Sequence, residues 1–185
     1  IKHNLGNSKF KLVRADILDY NALFHVMKSS DIVFHLAAQP GVRFSSKDPI
    51  KTNNVNVQGT LNVLRAAMET GVRRVVYASS SSVYGPPKYT PVDENHPTEP
   101  ISIYGASKLA AEKYCKIFND QLGLPVVILR YHTVYGERQR PDMAIHKWTK
   151  AIFEGKPITI YGDGTQTRDF TYISDSVQNN RGASE

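Results

Sequence analysis

The chain alternates short, almost wholly apolar runs with longer stretches in which apolar residues recur every three or four positions. Ile32-Val33-Phe34-His35-Leu36, Val75-Val76-Tyr77-Ala78 and Val126-Val127-Ile128-Leu129 are runs of strand length. Continuous apolar character of this kind predicts strands covered on both faces. Phe10-Lys11-Leu12-Val13 reads as a further short strand. Between the runs the period changes. Asp19 is placed to cap a helix through Leu23, Val26 and Met27. A second helical pattern starts at Asn56, places Leu61, Leu64, Ala67 and Met68 on one face, and stops at Gly71. A third begins at Tyr104 and continues through Leu109, Tyr114, Ile117 and Phe118 to Gly123. Beyond Gly136 the periodicity weakens. A helix through Ile145, Trp148 and Ile152 and an extended piece, Ile158 to Tyr161, are expected there.

The remaining segments are punctuation. Ile1 to Lys9 is polar and turn-like, Gly85 to Ile103 holds five prolines and reads as a loop, and Ser176 to Glu185 is polar and patternless. Strands alternating with helices predict an α/β fold, a parallel sheet with right-handed crossovers. Open sheets of that kind bind ligands beyond the carboxyl ends of their strands. Three such ends carry small or polar residues: Ala37-Ala38-Gln39-Pro40-Gly41, Ser79-Ser80-Ser81-Ser82 and Tyr131-His132-Thr133. They are expected to share one rim.

Composition narrows the function classes. The 185 residues, 41% hydrophobic and 22% charged, suffice for one domain with a sizeable core. No apolar run approaches the roughly 20 residues of a membrane span, and no signal-peptide pattern opens the chain, so no membrane partner is expected. A single cysteine, Cys115, excludes an internal disulfide framework and suggests a cytoplasmic address. The formal charge of +6 comes from scattered Lys and Arg that never form a block. It therefore argues for small anionic ligands and against nucleic acid. The six histidines show no metal-ligand spacing.

The candidate chemistry lies at the head of the third helix. Tyr104 and Lys108 are four apart, which stacks them on one helix face. An ammonium beside a phenol stabilises the phenolate and is expected to draw its pKa down from about 10. That pairing supplies a base for a hydroxyl proton. Ser80, on the strand end before it, is placed to hydrogen-bond the same oxygen and relay the proton. The bland reading is a Tyr and Lys on an ordinary amphipathic helix, and a strand-end serine capping its own turn.

The wider pattern decides between them. Asp16-Ile17, His35-Leu36-Ala37-Ala38, Asn56-Val57-Gln58-Gly59-Thr60, the Ser-Ser-Ser-Ser-Val-Tyr-Gly run ending at Gly85, Tyr104-x-x-x-Lys108, Leu129-Arg130-Tyr131 and Arg168-Asp169-Phe170 follow one another in order. In this the chain, up to about Asp175, resembles the extended short-chain dehydrogenase/reductase family, in particular its NAD-dependent nucleotide-sugar epimerases and dehydratases. The resemblance implies a Rossmann-like doubly wound parallel sheet. It makes Tyr104 the catalytic base, Lys108 its electrostatic partner and ribose ligand, and Ser80 the relay hydroxyl. NAD would meet Asp16 and Ile17 at the adenine, then Leu36, Ala37, Ala38, Asn56, Ala78 and Ser79, with Tyr131 and His132 near the nicotinamide. A UDP-sugar would meet Ser80, Tyr104 and Thr133, with Thr159 and Tyr161 along the base and Arg140 and Arg168 toward its anionic groups.

Residues 1–135 are expected to form part of the NAD-binding domain and 136–185 part of a smaller sugar-nucleotide region. The family opens with a strand and a glycine-rich turn that cradle the pyrophosphate. No such turn occurs here, so the chain reads as the middle of a longer enzyme, expected to be inactive and to bind NAD weakly or not at all by itself. Dehydratases of the family place an Asp-Glu pair directly after the relay hydroxyl, where this chain has Ser81 and Ser82. The expected reaction is therefore C4 epimerisation of a UDP-sugar, UDP-glucose or UDP-glucuronate, by a homodimer of the whole enzyme. A UDP-glucuronate decarboxylase or other nucleotide-sugar oxidoreductase, and a non-catalytic nucleotide-sugar-binding fragment, remain as alternatives.

Overall fold

The computed structural model describes residues 4–185, so Ile1 to His3 of the polar opening lie outside the described residues. The chain divides into two compact units, one running to Leu129 and one from Arg130 to Ala183.

The first unit is built on a sheet of order β1-β2-β3, with β1 Ile32–His35, β2 Arg74–Ser80 and β3 Val126–Tyr131, the last of which leads the chain into the second unit. β1 and β2 are parallel, in register from Ile32 opposite Arg74 to His35 opposite Tyr77. Val75 N–H donates to the Pro125 carbonyl at 2.9 Å on the other side. Helix α1 (Tyr20–Met27) starts where expected, its Asp19 carboxylate accepting from Ala22 N–H at 3.0 Å. Between β1 and β2 the chain runs through α2 (Val42–Lys47), α3 (Pro49–Asn53), one π-helical turn (Asn54–Gln58) and α4 (Gly59–Glu69). After β2 come a short 3₁₀ turn, the proline loop and α5 (Ile103–Leu122). Ser102 caps α5 and Gly123, at φ 74°, ends it in the left-handed region. The core joins Leu23 and Met27 of α1, Val63, Leu64, Ala66 and Ala67 of α4, Val75 and Tyr77 of β2, and Ala111 and Cys115 of α5.

Three sequence expectations change in this unit. Phe10 to Val13 forms no strand: a strand exists by its ladder, none of the described segments pairs with it, and Leu12 and Val13 stay exposed. Only β2 is buried in the manner expected of a doubly covered strand. In β1, Phe34 is 43% exposed, because β2 is its one ladder neighbour among the described residues. The helical segment before α4 starts well ahead of Asn56. Asp48, accepting from Lys51 N–H, and Pro49 at the first helical position mark that start. The polar run Lys51-Thr52-Asn53-Asn54 between hid the period.

In the second unit β4 (Thr133–Tyr135) pairs in parallel with β5 (Phe170–Tyr172), Thr133 opposite Phe170. Two helices complete it, α6 (Ala144–Phe153) and α7 (Ile173–Ser184). α7 occupies the stretch that reads as patternless, since its face is mostly polar and only Ser176 is buried. Ile158 to Tyr161 has no sheet partner, although Trp148 Nε1–H donates to the Thr159 carbonyl at 3.1 Å. Among the described residues no helix is long and apolar enough to cross a membrane, and no cluster of three His, Cys, Asp or Glu is placed to hold a metal.

Candidate active site

The first turn of α5 is held from four sides. Ser102 Oγ accepts from Gly105 N–H at 3.0 Å, and buried Ser45 of α2 accepts from Tyr104 N–H at 3.1 Å. Ser107 Oγ donates back to the Tyr104 carbonyl at 2.8 Å. Gly105 allows the fourth contact: a Cβ there would lie 2.4 Å from the Ser82 carbonyl oxygen and 3.0 Å from Pro100. Helix and serine turn therefore approach to a distance that only glycine permits. Tyr104 itself is partly exposed, open to a ligand while its backbone is fixed.

The serine turn sits at the carboxyl end of β2. Ser80 Oγ accepts from Ser82 N–H at 3.2 Å and lies 3.1 Å from Ser82 Oγ, so it caps its own turn and still has a hydroxyl neighbour for a proton. Ser79 points the other way, into the core, its Oγ donating to Glu112 Oε1 at 2.5 Å. Lys108 is 3% exposed; its Nζ donates to the Ala78 carbonyl at 2.7 Å and lies 4.8 Å from the Tyr77 ring centre. Ala78, Ser79, Ser80 and Lys108 thus meet at one strand end.

At the end of β1, Leu36 is 60% exposed and leads into Ala37 and Ala38. The turn is anchored by buried Asn56. Asn56 Oδ1 accepts from Gln39 N–H at 2.7 Å, while Nδ2 donates to the Gln39 carbonyl at 3.2 Å and to Ser107 Oγ at 2.9 Å. One amide side chain therefore ties the β1 exit to the turn that carries Tyr104. It can do so because it sits in the π-helical turn, which displaces its side chain from the regular helix path. Next to it, Thr60 Oγ1 donates to the Asn56 carbonyl at 2.6 Å. That leaves His35 Nε2, 3.0 Å away, as the donor to the Thr60 oxygen. Asp16 is exposed and accepts from Leu18 N–H at 2.9 Å, and Ile17 is half-buried against α4, where a Cβ on Gly59 would meet it at 2.5 Å.

The other expected residues belong to the second unit. Tyr131 hydroxyl accepts a 2.5 Å hydrogen bond from Asn180 Nδ2, His132 Nδ1 lies 3.8 Å from Asp169, and Thr133 opens β4. Arg140 pairs with Asp142 at 3.1 Å. Thr159, Tyr161 and Arg168 are all exposed, Arg168 donating only to the adjacent Thr167 carbonyl among its described hydrogen bonds.

Burial governs the electrostatics. It lowers Lys108 to about 8, with Cys115 and Glu112 pulling upward. It lowers His35 to about 4, with a smaller contribution from Lys108, so His35 is neutral at pH 7. Burial raises the Tyr77 phenol well above its ordinary range, raises Cys115 to about 12 and raises Tyr131 as well.

Four residues of this network receive no site role in the sequence reading: His35, Thr60, Ser107 and Glu112. Glu112 left a signal, since it lies on the buried stripe of α5 with Lys108, Ala111 and Cys115, where a carboxylate is out of place.

Comparison with known proteins gives consistent results. The pattern of the NAD dependent epimerase/dehydratase family matches residues 2–181. An uncharacterised UDP-glucose epimerase of Bacillus subtilis is 44% identical over 179 residues, covering 96% of this chain and 56% of that protein. The crystal structure of the UDP-glucuronic acid 4-epimerase of Bacillus cereus, in complex with UDP-glucuronic acid and NAD, superposes with a TM-score of 0.94. Its identity is 44%, over 100% of this chain and 59% of that one. The UDP-N-acetylglucosamine 4-epimerase of Methanobrevibacter ruminantium, in complex with UDP-N-acetylmuramic acid, gives a TM-score of 0.94 at 34% identity, over 100% and 61%. The chain thus spans little more than half the length of each.

Proposed function

Because this chain belongs to the NAD dependent epimerase/dehydratase family, we propose that it carries the catalytic centre of an enzyme that inverts C4 of a UDP-sugar, with UDP-glucose or UDP-glucuronate as substrate. The observation that carries the reading is that buried Lys108 reaches the end of β2 at Ala78 and that the α5 turn bearing Tyr104 closes on the serine turn through Gly105, with hydroxyls and no carboxylates at Ser81 and Ser82.

Tyr104 takes the proton of the sugar C4 hydroxyl as C4–H breaks, and returns it when the new C–H bond forms on the other face. The Lys108 ammonium supports the negative charge on the phenol. Ser80 already lies 3.1 Å from a second hydroxyl, Ser82 Oγ, so a substrate hydroxyl can take over that partnership with little rearrangement. Water elimination needs an acid and a base on the adjacent carbon, and Ser81 and Ser82 supply neither.

The residues around β1 fit NAD. Leu36 offers an exposed apolar surface, Ala37 and Ala38 leave the backbone open to close approach, and Asn56 keeps that turn in place. Asp16 and Ile17 suit the adenosine end, Tyr131 and His132 the nicotinamide end. When bound, NAD accepts the hydride from C4 and gives it back. On the sugar nucleotide, Thr133, Thr159 and Tyr161 offer hydroxyl and aromatic contacts, and Arg140 and Arg168 offer guanidinium forks for anionic oxygens.

We read the whole enzyme as a cytoplasmic homodimer. The single free thiol and the exposed Tyr114, Ile117 and Leu122 on α5 support this, and light scattering of the purified protein checks the stoichiometry. The decisive test of the reaction incubates the full-length protein with NAD and with UDP-glucose, UDP-glucuronate or UDP-N-acetylglucosamine, and separates the products by chromatography. The C4 epimer is the expected product. Loss of water or carbon dioxide in its place rejects the assignment.

A further inference from the structure

Behind the Tyr104 face the first unit encloses an ionisable side chain that the proposed reaction leaves without a task. Glu112 is 4% exposed and accepts the Ser79 hydroxyl hydrogen at 2.5 Å. It follows Lys108 by four residues on α5, so the two side chains share a helix face. The Lys108 ammonium is as deeply buried, between the Ala78 carbonyl and the Tyr77 ring. A carbonyl dipole and an aromatic face offset only part of the several kcal/mol that burying an ion costs. Among the described residues, the groups that face it from the neighbouring strands and from α4 carry no negative charge at neutral pH. His35 of β1 is neutral, Tyr77 of β2 keeps its proton, and Thr60 of α4 is uncharged. On α5 itself Cys115 also pulls Lys108 upward as its thiol ionises, but burial holds that thiol protonated to about 12, so it carries no charge at neutral pH. Glu112 is the carboxylate that completes the group.

We propose that Glu112 is a positioning residue: its carboxylate is the buried counter-charge that keeps Lys108 an ammonium at neutral pH, and it fixes Ser79, the residue before Ser80, with its other function as acceptor. This rests on the reading in which Lys108 acts on Tyr104, and adds to it the group that maintains Lys108. With Glu112 neutralised, Lys108 releases its proton at lower pH, and Tyr104 loses the neighbouring positive charge across that interval.

The test titrates Lys108 directly, by NMR of the lysine ε-methylene and ammonium signals assigned through Lys108→Met, in the full chain and in two variants. Glu112→Gln keeps an acceptor for Ser79 and removes the charge; the Lys108 midpoint is expected to fall by about one pH unit or more. Glu112→Asp keeps the charge and is expected to restore most of the native midpoint. An unchanged midpoint in Glu112→Gln overturns the proposal. Where Glu112→Gln does not fold, the double variant Lys108→Met/Glu112→Gln is expected to regain a cooperative urea transition, because the unpaired ammonium is gone. A double variant that stays unfolded also overturns it. None of these readouts uses turnover. An unchanged midpoint therefore removes the Glu112 role and leaves the epimerase reading standing, while a shifted midpoint in a protein that converts no UDP-sugar does the reverse.

Discussion

At the scale of single residues, the site depends on side chains whose surroundings differ sharply. Tyr104 is partly exposed; Lys108, one turn on, is buried. Tyr104→Phe deletes a single hydroxyl and leaves the packing of α5 unchanged. The full-length protein should lose about two to four orders of magnitude in kcat while its circular dichroism stays native; near-native turnover would assign the proton to another group. Lys108 makes a prediction about stability. Its ordinary value is 10.5 and its buried value about 8. Between the two the unfolded chain still holds the proton that the folded chain has released, so stability rises with pH across that window. The full destabilisation is present below about 8. It is relieved by about 3 kcal/mol in all as pH approaches 10.5, at about 1.4 kcal/mol per pH unit. Urea unfolding at about pH 7.5 and about pH 10, below that window and within its upper part, should show the rise in the native chain and its absence in Lys108→Met. His35 acts at the other end: its lowered value means that stability is lost as pH falls from 6.5 toward about 4.

At the scale of elements, the site is a matter of how closely α5 approaches the end of β2. Gly105 sets that distance, since a methyl group there meets the Ser82 backbone carbonyl, which has no flexible end to move. Gly105→Ala should cost about 1–3 kcal/mol by overpacking and should displace Tyr104 from Ser80. A fall in kcat larger than the stability loss explains would distinguish displacement from partial unfolding. A variant with native stability and native kcat would show that the turn yields freely. Asn56 links the β1 exit to the same helix turn through three hydrogen bonds. Asn56→Ala should leave the partly buried Gln39 backbone groups and the buried Ser107 hydroxyl without that partner, a loss of about 1–3 kcal/mol measurable in urea.

Across the whole molecule the two units are unequal. The large buried side chains, Tyr77, Leu64, Val63, Val75 and Val76 among them, all belong to the first unit. In the second unit the buried described residue is Ser176, and Phe153 at the end of α6 is 88% exposed. Amides with few buried apolar neighbours open at low free-energy cost. Hydrogen exchange followed by mass spectrometry should therefore show slow exchange in β2, α4 and α5 and faster exchange through α6 and α7. Equal protection in both units would contradict this ranking. Leu64→Ala, at the centre of the first unit, should cost about 2–5 kcal/mol.

The sequence by itself determined the α/β alternation, the three sheet strands, the cap at Asp19, the helix end at Gly123, and the residues at the strand ends. These follow from period, turn chemistry and short-range spacing, which depend on neighbours in the chain. Whether Phe10 to Val13 is a strand, and whether β1 is covered on both sides, was not legible, because a ladder needs a partner that the segment itself does not specify. The same holds for α7, whose polar face carries no hydrophobic period. At the site, Tyr104, Lys108 and Ser80 were legible from their spacing and their run. Only the tertiary structure turned Ser79 inward onto Glu112 and placed His35 against Thr60, and only it set the Lys108 ammonium against a carbonyl in the core. Those are contacts between residues 25 to 33 positions apart, and a linear pattern carries no information about the depth at which a side chain is buried or about which charge waits there to balance it.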